Sequence, residues 1–117
     1  MASQQMEAGL FSQENKITIR EEKDGENLTV YIGGYMTPVT VPELQKYLEE
    51  GTLDDVMHLV FDLSGLEYMS SFGLRVFLST QKLMTRKGGY MGVRGVAPFA
   101  MELFDMTGFS NILTIEK

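Results

Sequence analysis

The chain has 117 residues, enough for one domain with a buried core, and 44% of them are hydrophobic, as is usual for globular proteins. It has no cysteine and a single histidine, His58, so disulfides and thiolate metal sites are excluded, and we expect no metal or cofactor. A net charge of −6 disfavours nucleic acid, and the lack of a signal peptide or long apolar run predicts a cytoplasmic protein without membrane insertion.

The chain begins with a polar segment that has no hydrophobic period. We expect residues 1–14 to form a loosely ordered tail and residues 15–117 to form the domain. Apolar and polar residues then alternate over positions 17–32, on either side of Asp24 and Gly25. This pattern predicts a β-hairpin whose tight turn takes its positive φ angles from the Asp-Gly pair.

A helix and a buried strand are predicted next. Thr40 and Glu43 have the spacing of a capping box, and the apolar residues that follow indicate a helix ending at Gly51. Residues 57–61 are apolar at nearly every position, which is typical of a central strand covered on both faces. Residues 62–70 are predicted to form a loop.

Two more helices and two more strands complete the chain. We predict a long helix over residues 71–87, a strand at 90–93, a helix from 98 to 108 and a last strand at 112–115. The order is β-β-α-β-α-β-α-β. Such alternation predicts a single α/β domain, with helices packed against a mixed sheet of four to five strands.

Two consecutive serines mark the best candidate site. Ser70 and Ser71 stand where the long helix begins after the central strand, at the end of the sheet where α/β proteins commonly bind ligands. One hydroxyl can simply cap the helix. Alternatively, a hydroxyl displayed at the positive end of a helix can accept a phosphoryl group, which the free amides would stabilise. Both roles are compatible.

Catalysis has little support in the sequence, and we expect no enzyme. A nucleophilic serine needs a base, and His58 lies in an apolar strand, where a structural role is the simpler interpretation. The nucleophile-elbow, P-loop and dinucleotide motifs are absent. Met36 and Met69 flank the serines, either as core residues or as an adaptable apolar contact surface.

Residues 62–74 (DLSGLEYMSSFGL) resemble the central motif of the STAS domain family, Asp-Leu-Ser-x-Leu-x-Tyr/Phe-Met/Ile-Asp-Ser-Ser/Thr-Gly-Leu. Residues 103–109 (LFDMTGF) resemble a second block of the same family. Element order and length also agree, so the resemblance covers about residues 15–117. Within that family, the sequence resembles the anti-sigma-factor-antagonist type.

The resemblance implies partner switching. An unphosphorylated antagonist binds a serine kinase that is also an anti-sigma factor, of the histidine-kinase-like ATPase type. Phosphorylation abolishes the binding, and a serine phosphatase reverses it. Alignment on the motif places the phosphoacceptor at Ser71, with Ser70 as second choice. The residues expected to contact the partner are Met36, Asp62, Ser64, Met69, Ser70, Phe72, Gly73 and Arg75.

Two departures from the family pattern leave other functions open. Ser70 replaces the acidic residue usual before the acceptor, and a second acidic position falls near Met36. One alternative is a binding module without phosphorylation, which docks through Met36, Met69, Phe72 and the exposed part of the long helix. Another is a regulatory subunit of a membrane transport system. A small hydrolase using Ser71 is the least favoured alternative, because no base accompanies the serine.

Overall fold

Strands and helices alternate in the computed structural model, which describes residues 16–116, so the predicted tail over residues 1–14 lies outside the described residues. The strands are β1 (Ile17–Asp24), β2 (Asn27–Met36), β3 (His58–Met69), β4 (Tyr90–Arg94) and β5 (Thr114–Ile115). The helices are α1 (Val41–Tyr47), α2 (Ser71–Arg86) and α3 (Pro98–Thr107). The predicted order and fold class are confirmed.

The five strands follow one another across the sheet in the order in which they occur in the chain. β1 runs antiparallel to β2, whereas β2, β3, β4 and β5 are mutually parallel. Right-handed crossovers that all step in the same direction place the three helices on one face of the sheet. The other face has no helix among the described residues, and we call it the open face.

The hairpin between β1 and β2 turns one residue later than predicted. Asp24 is still paired with Asn27 in the ladder, so Gly25 and Glu26 form the turn. Gly25 has a φ of +61°, and no residue other than glycine has a positive φ in the described part of the chain. Glycine at the first turn position provides the reversal, as in a type II′ turn.

The region predicted as a loop after the central strand is instead part of β3, which continues to Met69. Its second half pairs with the end of β2, through Gly33 with Gly65 and Met36 with Met69. Two register shifts interrupt this pairing, and a β-carbon on Gly33 would lie 3.3 Å from the Gly65 carbonyl oxygen. Paired glycines therefore allow the irregular strands to stay together.

The predicted capping box at the start of α1 is wrong. The Thr40 side chain makes no capping bond to the helix. Its hydroxyl donates to the carbonyl of Tyr35 at 2.5 Å and accepts from the amide of Thr37 at 2.9 Å. Thr40 thus secures the chain after β2, and α1 continues through a wider turn (Leu48–Thr52) in which Gly51 has a φ of +83°.

Helix α2 buries one face against the sheet. Its inward residues are Gly73, Leu74, Val76, Phe77, Thr80 and Met84. Phe77 is fully buried, and its ring lies 5.0 Å from that of Phe61 in β3. The outward side of the helix is not covered, and Phe72 and Leu83 are 46% and 38% exposed.

The C-terminal strand is shorter than predicted. A short helical turn occupies Phe109–Asn111, Ile112 is 50% exposed, and only Thr114 and Ile115 pair with β4. Within residues 16–116, no helix combines the length and the apolar character that crossing a membrane requires.

Two phenylalanines of α2 test this assignment of the core. We expect Phe77→Ala to lower the free energy of unfolding by about 3–5 kcal/mol, because it leaves a cavity against Phe61. The half-exposed Phe72 is the matched control, and Phe72→Ala should cost under about 1 kcal/mol. Urea denaturation followed by circular dichroism measures both values, and similar losses would contradict the assignment.

Candidate functional site

The two serines lie at the edge of the sheet where β2 and β3 both end. Met36 and Met69, the last residues of these strands, are paired, and the Ser70 amide donates to the Met36 carbonyl at 2.9 Å. This bond extends the ladder by one residue. Ser70 has extended backbone angles (φ −99°, ψ 171°), and α2 begins at Ser71.

The two hydroxyl groups differ in accessibility. Ser71 is exposed in the first turn of α2. The Ser70 Oγ is buried and has no hydrogen-bond partner among the described residues, so it does not cap the helix. The Gly73 amide instead donates to the Ser70 carbonyl at 3.0 Å. Of the two predicted acceptors, only Ser71 is exposed.

Gly73 explains how α2 approaches the sheet so closely. A β-carbon at this position would lie 2.9 Å from Met36 Cε and 3.2 Å from Met69 Cγ. Both methionine side chains fill the space beneath the glycine and are 0% and 4% exposed. The prediction that these methionines belong to an exposed contact surface therefore needs correction: they form the support under the serines.

Aromatic side chains surround this edge. Tyr68 and Phe72 are each 46% exposed, and the rings of Tyr35 and Tyr68 stack with centroids 6.3 Å apart. A shallow cavity of 310 Å³ is lined by Tyr35, Thr37, Pro38 and Tyr68. No local pattern in the sequence indicates the tyrosine pair. It becomes recognisable only when the parallel register places Tyr35 opposite Tyr68.

Asp62 and Ser64 are not brought to the serines. They lie midway along β3, and Asp62 stands seven positions before Met69 in the strand, roughly 23 Å away. An Asp62 carboxylate oxygen accepts from the Ser64 hydroxyl at 2.5 Å, and the other accepts from Arg94 Nε at 2.8 Å. Arg94 also donates to the Tyr31 hydroxyl at 3.2 Å. These residues form a network on the open face, so the expectation that they share one surface with Ser71 is corrected.

Arg75 lies close to Ser71, whereas His58 lies at the far end of the sheet. Arg75 is exposed one turn after Ser71, and its guanidinium carbon lies 5.6 Å from the centroid of the Phe72 ring. His58 begins β3 at the far end of the strand, where its ring stacks on Tyr90 at 4.6 Å. His58 is therefore too distant to act as a base for Ser71.

Comparison with known proteins agrees with this geometry. The model of the STAS domain family matches residues 18–117, so the chain belongs to the STAS domain family. An anti-sigma-B factor antagonist from Staphylococcus epidermidis is 33% identical over 92 residues, which are 75% of this chain and 82% of the relative. The family predicted from the motif is confirmed.

Two solved structures share the fold. An anti-sigma factor antagonist from Mycobacterium paratuberculosis has a TM-score of 0.77 and 26% identity, covering 86% of each chain. SpoIIAA, a Bacillus cell fate determinant solved in its phosphorylated form, has a TM-score of 0.68 at 14% identity and covers 86% of this chain and 92% of its own. The relatives are thus regulatory binding proteins.

The Asp62 network gives a prediction about acid stability. Partial burial would raise the pKa of Asp62, but hydrogen bonds from Ser64 and Arg94 outweigh it and hold the pKa below its usual value. Ionised Asp62 therefore stabilises the fold above its unfolded pKa of about 3.9, and this stabilisation is lost as the pH falls through the lower folded value. We expect the difference in unfolding free energy between wild type and Asp62→Asn to narrow between about pH 6 and 3.

Urea unfolding at a series of pH values measures this difference. Glu102→Gln is the control, because Glu102 is exposed on α3 and forms no ion pair within residues 16–116. A difference for Asp62→Asn that stays constant with pH would contradict the assigned ionisation.

Proposed function

We propose that this protein is a partner-switching regulator of the anti-sigma-factor-antagonist type. Unphosphorylated, it binds a serine kinase that also acts as an anti-sigma factor, and phosphorylation of Ser71 ends the binding. The observation that carries the proposal is the exposed Ser71 hydroxyl at the start of the 16-residue helix α2, on a rigid support of two buried methionines. The similarity to antagonists from Staphylococcus epidermidis and Mycobacterium paratuberculosis supports it.

Ser71 suits a reversible modification for electrostatic reasons. The first amides of a helix lack partners within the helix, and the dipole there favours negative charge. The first turn of α2 contains no acidic residue that would repel a phosphate. Phosphorylation adds about 1.5 to 2 negative charges. In an interface that excludes water, an unpaired charge of this size strongly opposes binding.

The proposed partner surface surrounds Ser71. Phe72 and Arg75 contribute exposed side chains, whereas Met36, Met69 and Gly73 act indirectly by positioning the start of the helix. The partner is a histidine-kinase-like ATPase with serine kinase activity, and a serine phosphatase resets the switch. The site of action that follows is the cytoplasm, where kinase, ATP and sigma factors occur together.

A second candidate function is a binding module that docks without phosphorylation. It is favoured by the exposed aromatic side chains near Ser71. Tyr68 and Phe72 are each 46% exposed, and they offer an apolar contact surface that does not depend on phosphorylation. Intact mass of the protein isolated from its own host, with peptide mapping over residues 70–71, separates the two functions. Phosphate on Ser71 supports switching, and an unmodified chain under all growth conditions supports constitutive docking.

Variants of Ser71 test the switch directly. We expect Ser71→Ala to bind the kinase like wild type and to accept no phosphate. Ser71→Asp should bind about 10- to 100-fold more weakly, because it places a charge in a desolvated contact. Calorimetric titration with each purified histidine-kinase-like ATPase of the host measures the affinities.

The control for Ser71→Asp is Asn27→Asp, which adds one negative charge at the exposed start of β2, at the opposite end of the sheet. This variant should bind normally. Equal affinities of Ser71→Ala and Ser71→Asp would refute the mechanism, and a phosphate that persists in Ser71→Ala would assign the acceptor elsewhere.

A further inference from the structure

The outward face of α2 carries a row of basic side chains that begins at Ser71. Arg75, Lys82 and Arg86 follow it at intervals of four, seven and four residues, which an α-helix of 3.6 residues per turn places along one side. All three are exposed and lie opposite the buried stripe of the helix. We call Arg75, Lys82 and Arg86 the basic row. It extends roughly 22 Å from Ser71 at 1.5 Å per residue.

The basic row is unusual for this chain. Helix α2 has three cationic side chains and no carboxylate, although the formal net charge of the protein is −6. Among residues 16–116, none of the three forms an ion pair within 4.0 Å. Two cations elsewhere on the scaffold do form close ion pairs, Lys23 with Asp55 at 2.7 Å and Arg94 with Asp62 at 2.8 Å.

The row does not stabilise the helix in which it lies. Arg75 stands near the positive end of the helix dipole, where a cation is unfavourable. Lys82 and Arg86 are like charges four residues apart, an arrangement that destabilises a helix by about 0.2–0.5 kcal/mol. Only Arg86, in the last turn, complements the dipole. The fold therefore gives little reason for this arrangement of charges.

Apolar surface borders the row on both sides. Phe72 and Leu83 lie along one side, and Leu83 lines a groove of 240 Å³ between α1 and α2. On the other side, Leu78 and the half-exposed Ile112 line a cavity of 610 Å³. Gln81 lines the same cavity, and its Oε1 is buried without a hydrogen-bond partner among the described residues. Apolar contact flanked by charge is the composition of a protein-binding surface.

We propose that the basic row is a docking surface for an acidic, amphipathic face of the partner kinase, continuous with the Ser71 contact. The inference rests on the proposed function and specifies the chemistry of the partner. Charge complementarity supports it, because the row offers cations that form no ion pair within residues 16–116 and that an acidic partner would satisfy. A phosphate on Ser71 would lie one turn from Arg75 and form an ion pair with it. The pair neutralises the first cation of the row, and the remaining negative charge of the phosphate repels an acidic partner.

Charge reversal along the row tests the docking surface. We expect Lys82→Glu/Arg86→Glu to lower the association rate constant with the kinase about tenfold or more at 50 mM salt, and to differ little from wild type at about 0.5 M salt. The matched control is Arg20→Glu/Lys46→Glu, which makes the same change in charge at side chains 67% and 77% exposed, on β1 and α1. Stopped-flow or biolayer interferometry measures the rates, and thermal unfolding verifies that both variants fold.

The outcomes separate this inference from the proposed function. If wild type binds the kinase and both double variants associate equally fast, the docking surface is wrong and the switch stands. If wild type binds no kinase, the proposed function fails. The basic row is then tested by itself with a 16-residue helical peptide of glutamate and leucine, in which the leucines occupy one side of the helix. Amide NMR shifts concentrated at residues 75–86 support an acidic occupant. Shifts spread over the surface, or none, overturn it.

Discussion

The position of Ser71 depends on Met36, which holds the start of α2 in two ways. Its carbonyl accepts the Ser70 amide at 2.9 Å, and its buried side chain fills the space left by the absent side chain of Gly73. Since β2 and β3 end side by side at Met36 and Met69, both strands contribute to this support. The start of α2, which carries Ser71, is therefore attached to the ends of two paired strands rather than to a free loop.

Local patterns in the sequence were sufficient to predict the order of the elements and the placement of Ser71 at a helix start. They could not predict where β3 ends, because pairing of residues 62–69 with β2 depends on contacts between distant segments and on two register shifts. The Tyr35–Tyr68 pair could not be predicted for the same reason, because it also depends on the pairing of distant segments. Thr40 had the expected spacing for a cap, yet the Tyr35 carbonyl competes for its hydroxyl. The burial of Met36 depends on Gly73, 37 positions later in the chain.

The two faces of the molecule have different electrostatic character. On the open face, Asp62, Arg94 and Tyr31 satisfy one another, so this cluster presents little unpaired charge to a partner. The outward side of α2 has cations without carboxylates, and beside them Phe72 and Leu83 are 46% and 38% exposed. This difference supports the proposal that the partner binds the side of the molecule formed by α2 rather than the open face.

The sequential order of the strands affects how the molecule assembles. Each strand pairs with the one before it in the chain, so no strand has to be inserted between two that are already paired. The β1–β2 hairpin is local, whereas each parallel pair joins residues 22 to 33 positions apart and therefore requires closure of a loop before it forms. The strands and the helix start that surround Ser71 come before α3 and β5 in the chain. Among the described residues, none of the contacts given above around Ser71 is made by the C-terminal third of the chain, so the first two thirds set the local geometry of the serine.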